Sequence, residues 1–426
     1  MVNALISRIA AEPARIICDL TQSYAPVGGG GVGTYMRQKR DYVLAHGDQR
    51  LLQIVPGRED RVIENGRHIW VEIGADQVRG SPNYRFITRT SAVRAVLEHY
   101  RPQIIESQCP WVLPWTAINY RRAHPETALV AGYHTDFPNT HVYRVGASLF
   151  GDFVARGLRR LSAGYAEITY REFDRVYTLG QDMRGMLSRY GVGHVDVLSL
   201  GVDAATFHPS RRDPGLRAEF GLPGTGPLLI YAGRLDNEKR ADRLVAMFRA
   251  LPPDLGAAMI LVGDGKLRDS LAEATRGMAV ALPGYCGDRA QLARMLASAD
   301  IYVSAMADET FGLSVLEAQA CALPVVGFAS GAMVQRVLPG LGELVDLDDV
   351  AAMARAVTRV WHNDPAAMGE RARAHVTANF SWDQTFATLF GEVYPRAQAA
   401  AWRRQSRAGW FRRDEAGQLL ATPRAG

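Results

Sequence analysis

Residues 227–250 read PLLIYAGRLDNEKRADRLVAMFRA, and this stretch decides how the second half of the chain folds. The apolar run 227–232 predicts a buried strand, and the segment 240–250 predicts a helix. Further strands are predicted at 258–262, 279–282, 301–304 and 324–328, with helices between them. Strands that alternate with helices are typical of a parallel sheet covered on both faces.

The first half shows the same alternation less regularly. Strands are predicted at 16–20, 51–55, 69–73, 104–106, 128–133 and 175–179, and helices at 34–45 and 92–99. The segment 198–226 is rich in glycine, proline and charge, which is typical of a linker. We therefore predict an α/β protein with two doubly wound domains, residues 1–205 and 206–385, followed by a C-terminal segment, 386–426. Open sheets of this kind bind ligands at the carboxyl ends of their strands.

The composition is that of a globular protein, with 47% apolar and 22% charged residues. We find no apolar run of membrane-spanning length and no secretory signal, so the expected compartment is the cytoplasm. Cys18, Cys109, Cys286 and Cys321 are widely spaced, and we expect them to be small core residues.

The whole net charge of +5 lies in residues 1–200, which hold 24 Lys and Arg against 19 Asp and Glu. Such an excess fits an anionic surface, or an arginine-rich composition without a specific partner. Because no nucleic-acid-binding motif accompanies the arginines, we expect no nucleic acid partner.

A glycine loop at 27–35, VGGGGVGTY, places Gly28, Gly30 and Gly33 in the spacing G-x-G-x-x-G. Glycines at a helix start allow backbone N–H groups to approach a phosphate, although the loop could also be a plain connecting turn. A nicotinamide dinucleotide is disfavoured, since the segment 21–27 separates the strand from the first glycine and the second strand ends LLQIVPG without a carboxylate.

Two glutamates stand eight residues apart in the stretch 308–324, DETFGLSVLEAQACALP. Glu309 is predicted in a loop after a strand and Glu317 on the following helix, so both can face one ligand that also meets the helix N–H groups. The two carboxylates suit sugar and ribose hydroxyls. The alternative is a pair of surface glutamates near a helix start.

Cations and a histidine are predicted at other strand ends. Arg234 and Lys239 lie where the strand 227–232 meets its helix, a position that suits a diphosphate, although an ion pair of Lys239 with Glu238 or Asp242 is the alternative. His134 directly follows the strand 128–133 and could donate to a phosphate or a sugar hydroxyl, or be satisfied by neighbouring backbone. Asp136 could assist an acceptor hydroxyl or cap a turn.

Together these residues resemble the retaining glycosyltransferases of the GT-B fold in the family called GT4. The resemblance rests on GRLDNEK at 233–239, VGDGKLRDSL at 262–271, PGYCGD at 283–288, the E-x7-E pattern from Glu309, LGVDAATFHP at 200–209 and the glycine loop. The resemblance implies that the terminal helices cross back to the first domain.

The resemblance also implies a role for each matching position. Arg234 and Lys239 would hold the donor diphosphate, Glu317 the ribose, and Glu309 the transferred sugar, with His134 beside the reacting carbon. The donor would further meet Gly30, Gly31, Gly33, Gly263, Tyr285, Cys286, Gly287, Phe311, Gly312, Leu313 and Ser314. Asp136 and Gln108 would lie on the acceptor side, and Gln108 departs from the histidine expected in many relatives.

By resemblance, the reaction retains the anomeric configuration, and the leaving phosphate oxygen takes the acceptor proton. We expect no cofactor and no metal, because no Asp-x-Asp pair follows a strand and Arg234 with Lys239 could supply the positive charge. UDP-glucose and GDP-mannose are the leading donors. A GT-B epimerase, a phosphorylase and a non-catalytic sugar-binding relative remain alternatives, although a phosphorylase needs a late lysine and no lysine follows Lys266.

Two segments mix aromatic and basic residues, as protein surfaces that meet anionic lipid do. The first, 149–173, holds Phe150, Phe153 and Val154 near arginines, and the second, 402–413, holds Trp410 and Phe411. We expect a lipid or glycan acceptor and a peripheral position on the cytoplasmic membrane. A solvated basic helix and a disordered end are the alternatives.

Overall fold

The computed structural model describes residues 15–22, 24–25, 30–78, 81–307 and 309–409. These divide into one unit that runs to Leu198 and resumes at Phe386, and a second unit, Ser199–Thr385. The first unit gives way to the second after Leu198 and not after residue 205, where the domain boundary was predicted. The reason is that the start of the predicted linker is hydrogen-bonded to the end of the second unit. The Thr385 hydroxyl donates to Ser199 O at 2.7 Å, and Val202 N–H donates to Phe380 O at 3.0 Å.

The first unit is built on an eight-stranded sheet in the order β10-β9-β8-β7-β1-β2-β4-β3. All neighbours are parallel except β3, which is antiparallel to β4, and a separate antiparallel hairpin pairs β5 with β6. The strands are β1 Ile16–Leu20, β2 Arg50–Gly57, β3 Arg61–Asn65, β4 His68–Gly74, β5 Asp76–Val78, β6 Ser81–Phe86, β7 Ile104–Ser107, β8 Ala128–Tyr133, β9 Arg175–Thr178 and β10 Val195–Val197.

Helices cover this sheet and carry its connections. They are α1 Gly31–Ala45, α2 Thr90–Tyr100, α3 Leu113–Ala123, α4 Arg144–Phe150, α5 Asp152–Arg171 and α6 Gln181–Arg189, with a π-helical turn at Pro138–Tyr143. The central strands β1 and β8 are buried along their whole length, as expected for parallel strands covered on both faces. The antiparallel β3 is exposed throughout and was not predicted, because it has no buried apolar run.

The second unit is built on a six-stranded sheet in the order β13-β12-β11-β14-β15-β16, with every described pair parallel. Its strands are β11 Leu228–Ala232, β12 Ala258–Val262, β13 Val280–Gly284, β14 Ile301–Ser304, β15 Val325–Phe328 and β16 Gly342–Val345. Five of them match predicted strands to within two residues. The edge strand β16 was not predicted, because its residues GELV are half polar.

The helices of the second unit are α7 Leu216–Glu219, α8 Ala241–Arg249, α9 Arg268–Ala274, α10 Arg289–Ser298, α11 Leu313–Ala320, α12 Met333–Arg336, α13 Val350–His362, α14 Pro365–Asn379 and α15 Trp382–Thr388, with single 3₁₀ turns at Pro209–Arg211 and Pro253–Leu255. The second unit ends within α15, at Thr385. The chain then continues through a π-helical turn, Leu389–Val393, and α16 Tyr394–Gly409, which pack in the first unit.

Three of the four cysteines are core residues, as predicted. Cys18, Cys109 and Cys321 are buried, and burial raises the pKa of each thiol. The prediction is wrong for Cys286, which is only partly buried because it follows the edge strand β13 in a loop.

Candidate active site

Three loops meet at the carboxyl-terminal edge of the second sheet. Gly233 N–H donates to Val262 O at 3.0 Å, and Leu235 N–H donates to Asp264 O at 2.9 Å, so the loops after β11 and β12 are joined through their backbones. Gly263 N–H donates to Gly284 O at 2.9 Å and joins the loop after β12 to β13. A rigid edge of this kind holds side chains in place for a ligand.

Gly263 has to be glycine at this edge. Its φ of +148° is one that side chains rarely adopt, and a Cβ there would lie 1.8 Å from Gly233 O. The neighbouring Tyr285 is 47% exposed, and Gly287 lies beside its ring. Gly263 and the segment 285–287, which were predicted to meet the donor, therefore follow the neighbouring strands β12 and β13.

Arg234 and Lys239 both lie in the loop after β11 but have different partners. Arg234 pairs with Asp236 at 2.6 Å and with Glu238 at 2.7 Å, and half of its side chain is exposed. Lys239 does not form the ion pair with Glu238 or Asp242 that was its alternative; its Nζ lies 3.4 Å from Glu309 Oε2 and 2.7 Å from Met306 Sδ.

Glu309 is held by the backbone around it. Its Oε1 accepts from Gly312 N–H at 3.1 Å, and its carbonyl oxygen accepts from Ala332 N–H at 2.7 Å. Gly312 caps α11 with a φ of +85°, which places the Glu309 carboxylate beside the helix start. Lys239, Glu309 and the first turn of α11 are thus brought together, although they are far apart in sequence.

The first turn of α11 is anchored to the sheet beneath it. The Tyr302 hydroxyl, at the centre of β14, donates to Ser314 Oγ at 3.0 Å. Phe311 is buried, and Leu313 and Ser314 are half-buried. The helix N–H groups of this turn have no carbonyl within the helix to bond, so they are suited to an anion or a sugar oxygen.

Glu317 lies one turn further along α11 and is almost fully buried. It pairs with Arg289 at the start of α10, and the Arg289 guanidinium stacks 4.6 Å from the ring centre of Phe207. The ion pair therefore holds the Glu317 carboxylate in one orientation. Because Glu317 is buried, it is not the surface glutamate that was its alternative.

Arg336 was missed by the sequence analysis. Its guanidinium lies 4.2 Å from the ring centre of Phe311 and 4.7 Å from that of Phe380, and its Nε–H donates to Phe311 O at 2.8 Å. Burial lowers the pKa of Arg336 to about 10. A single arginine 25 residues from the loop that it supports leaves no local sequence signal.

In the first unit, His134 follows β8 as predicted and is half-buried. It does not bond to neighbouring backbone, its predicted alternative; its Nε2 is hydrogen-bonded to Gln108 Oε1. Burial lowers the pKa of His134 to about 4, so the imidazole is neutral at pH 7. Asp136 accepts from the Asn139 side-chain amide and, through its carbonyl oxygen, from Thr140, which organises the turn after β8.

Behind His134 lies a buried polar cluster that the sequence analysis also missed. Glu106, at the end of β7, accepts from Lys39 Nζ at 3.0 Å and from the hydroxyls of Tyr35 and Tyr177, each at 2.8 Å. Tyr394 of α16 donates to the same carboxylate, and Lys39 also bonds Asp19. Only tertiary structure could reveal this cluster, because its members come from five separate elements.

Residues 30–35 of the glycine loop form the start of α1. Gly30 is the residue before the helix, Gly31 is its first residue, and Gly33 is buried against the Arg37 side chain. Gly28 lies outside the described residues. The predicted residues thus form two sets: Gly30, Gly31, Gly33, Gln108, His134 and Asp136 in the first unit, and the remaining predicted site residues in the second.

Within the described ranges, no three His, Cys, Asp or Glu side chains form a group that could hold a metal ion. No helix in the same ranges is long and apolar enough to span a bilayer.

Two family models match the chain: Glycosyltransferase Family 4 over residues 29–206, and Glycosyl transferases group 1 over residues 226–363. The chain is 30% identical over 312 residues to a glycogen synthase of Mycobacterium tuberculosis, covering 70% of each protein. It is 29% identical over 380 residues to the GDP-mannose-dependent alpha-(1-6)-phosphatidylinositol dimannoside mannosyltransferase of Mycobacterium tuberculosis, covering 88% of this chain and 95% of that one.

Solved structures share the fold at low identity. Sucrose-phosphate synthase from Thermosynechococcus elongatus has a TM-score of 0.73 at 23% identity and covers 91% of this chain and 100% of its own. HepE of Anabaena, in complex with UDP, has a TM-score of 0.68 at 16% identity and covers 90% of this chain and 100% of its own. The predicted α/β architecture with two doubly wound domains, the GT-B fold, is confirmed.

Proposed function

The chain belongs to the group 1, family 4 glycosyltransferases, and we propose that it moves a hexose from a nucleoside-diphosphate sugar to an acceptor hydroxyl. The observation that carries the proposal is the pair of Lys239 and Glu309, 3.4 Å apart beside the first turn of α11. A cation, a carboxylate and helix N–H groups at one sheet edge are complementary to a diphosphate and the hydroxyls of its sugar.

The remaining residues of the second unit take roles that suit their positions. Arg234 contributes a second cation from the same loop as Lys239, and Glu317, held by Arg289, accepts from the ribose. Gly263 and the segment 285–287 line the base pocket. The mannosyltransferase relative is named as GDP-mannose-dependent and HepE was solved with UDP, which supports GDP-mannose and UDP-glucose as the first donors to test.

The proposed reaction needs no metal and retains the anomeric configuration. Lys239 and Arg234 stabilise the charge that develops on the leaving diphosphate, and the leaving phosphate oxygen takes the acceptor proton. Removing one hydrogen-bond donor that stabilises charge in a transition state typically costs about 10²–10³ in kcat. A one-dimensional NMR spectrum of the glycoside made with EDTA present tests both points, because an inverted product or a requirement for magnesium would contradict them.

Donor binding is tested by thermal shift with UDP, GDP, ADP, NAD, UDP-glucose and GDP-mannose, first with EDTA and then with magnesium. A ligand that binds only the folded state raises its stability. We expect stabilisation by one nucleoside diphosphate without metal, and a smaller effect in Glu317→Ala. The matched control is Glu343→Ala. Glu343 lies in β16 and forms an exposed ion pair with Arg359, so its loss should leave the thermal shift caused by the ligand unchanged. Stabilisation by NAD alone, or by none of the ligands, would refute the proposal.

A GT-B epimerase is the second candidate, and it shares the donor site. It would alter the sugar of UDP-glucose or GDP-mannose without an acceptor. Chromatography of the sugar nucleotide after incubation separates the two activities, because a transferase leaves the sugar configuration of the donor unchanged.

We further propose that the acceptor is a lipid at a membrane surface. Within the described part of the chain, Leu149, Phe150 and Phe153 expose 66%, 64% and 84% of their surface where α4 meets α5. Val154, Leu161 and Ile168 repeat at seven-residue intervals along α5 and are exposed as well. Arg156, Arg159 and Arg160 lie on the same helix, and cations beside exposed aromatics suit anionic headgroups.

The membrane proposal is tested by sedimentation with vesicles of phosphatidylcholine alone and with phosphatidylglycerol added. We expect binding to the anionic vesicles, and loss of that binding in Phe150→Ser/Phe153→Ser. The control is Val62→Ser, an exposed apolar residue of β3 away from this face. Equal sedimentation of the wild type and the double variant would refute this surface. Trp410 and Phe411 of the predicted second segment lie outside the described residues.

A further inference from the structure

The carboxylate of Glu106 is surrounded by hydrogen-bond donors. Its Oε1 accepts from the hydroxyls of Tyr35 and Tyr177, its Oε2 accepts from Lys39 at 3.0 Å, and Tyr394 also donates to Oε2. These hydrogen bonds and the Lys39 charge lower the pKa of Glu106 although it is fully buried. Glu106 is therefore ionised, and an ionised carboxylate can only accept hydrogen bonds.

This acceptor fixes the orientation of the neighbouring amide. Gln108 is 2% exposed, and its side chain is hydrogen-bonded to Glu106 Oε1. Only the amide nitrogen of Gln108 can donate to a carboxylate, so its Oε1 is the atom that meets His134 Nε2.

An amide oxygen beside an imidazole nitrogen requires a proton on that nitrogen. The neutral state of His134 leaves a single ring proton to place. With that proton on Nε2, Nδ1 carries the lone pair.

Gly132 makes this arrangement possible. A Cβ at this position would lie 2.6 Å from His134 Nε2, 2.8 Å from Gln108 Oε1 and 2.8 Å from the Tyr177 hydroxyl. Near its end, β8 therefore has no side chain at position 132, where His134, Gln108 and Tyr177 come together.

We propose that Gln108 is a positioning residue that holds His134 in the Nε2–H tautomer, so that Nδ1 can only accept a hydrogen bond. The tautomer follows from the Glu106, Gln108 and His134 contacts and does not rest on the proposed function.

The test is ¹⁵N NMR of the full chain with labelled histidine. The chain has 10 histidines, and the His134 resonances are assigned by their loss in His134→Asn. At pH 7 we expect a protonated Nε2 and an unprotonated Nδ1, which two-bond proton couplings distinguish. A proton on Nδ1 in the wild type would overturn the proposal.

Two variants test the role of Gln108. Gln108→Met removes the amide oxygen and is expected to mix the two tautomers. Gln108→Glu must carry a proton to donate to the ionised Glu106, so it keeps a carbonyl acceptor for His134 and is expected to keep Nε2–H. An unchanged tautomer in Gln108→Met would overturn the proposal. If that variant does not fold, a proton on Nδ1 in Gln108→Glu would overturn it instead.

Gln53→Met is a matched control. Gln53 is a second buried glutamine, and its side-chain oxygen meets His68 Nε2 at 3.0 Å. We expect this variant to change the His68 resonances and leave those of His134 unchanged.

Discussion

Lys39 Nζ lies 3.0 Å from Glu106 Oε2, and both side chains are fully buried. The same ammonium also bonds Asp19, which is fully buried on β1. Burial raises the pKa of Asp19 to about 6, whereas the charge of Lys39 and several hydrogen bonds lower the pKa of Glu106. One lysine thus compensates two carboxylates, and it joins α1 to the ends of β1 and β7.

Replacing this lysine is expected to be strongly destabilising. Lys39→Met leaves two buried carboxylates without a cation, which typically costs about 3–5 kcal/mol of the free energy of unfolding. Urea unfolding at pH 7 measures the loss. Lys266→Met is the matched control, because Lys266 is exposed and the change is expected to cost less than about 0.5 kcal/mol. Equal losses in the two variants would contradict this account of the cluster.

Two glycine-to-alanine substitutions are expected to have opposite effects. Gly132→Ala forces His134, Gln108 and Tyr177 apart and is expected to destabilise the chain by about 1–3 kcal/mol. Gly157→Ala adds a methyl group to open space within α5 and is expected to stabilise it by about 0.5–1 kcal/mol. Thermal unfolding compares them. A neutral Gly132→Ala would show that the contacts around His134 can relax freely.

The low pKa of His134 predicts a pH dependence of stability. Burial lowers this pKa from 6.5 to about 4, so between these values the unfolded chain binds a proton that the folded chain does not. The contribution of His134 to stability is therefore complete above about pH 6.5 and lost as the pH falls toward 4. Urea unfolding at pH 7 and pH 4.5 is expected to show a smaller loss in His134→Asn than in the wild type. Identical losses would mean that His134 is not held neutral.

Replacing Arg336 by lysine is expected to weaken nucleotide binding. Its planar guanidinium stacks on Phe311 and Phe380, and a lysine ammonium cannot stack in this way. We expect Arg336→Lys to weaken nucleotide binding in the thermal-shift assay, because Phe311 precedes the first turn of α11. Arg359→Lys, at an exposed ion pair with Glu343, is the control and is expected to bind as the wild type does. A wild-type shift in Arg336→Lys would show that Phe311 does not need this support.

Most of the fold was predictable, because parallel strands covered on both faces are continuous apolar runs. The buried runs IICDL in β1 and LLIYA in β11 are visible in the local sequence. The ends of these runs in turn mark where the loops to the following helices begin. The positions of Arg234, Lys239, Glu309, Glu317 and His134 relative to these strands were predictable for the same reason. The exposed β3 and the half-polar β16 were not, since neither has a buried run.

The partners of these side chains could not be predicted from the chain alone. Nothing near Lys39 in sequence indicates Glu106, 67 residues away, or Tyr394, 288 residues from Glu106. Gln108 looked like a departure from a family pattern, yet its contacts set the protonation of His134. Local apolar periodicity determines the strands and helices, so the sequence alone predicts them. Hydrogen bonds between distant elements form only after the sheet has brought its strand ends together, so only the tertiary structure decides them.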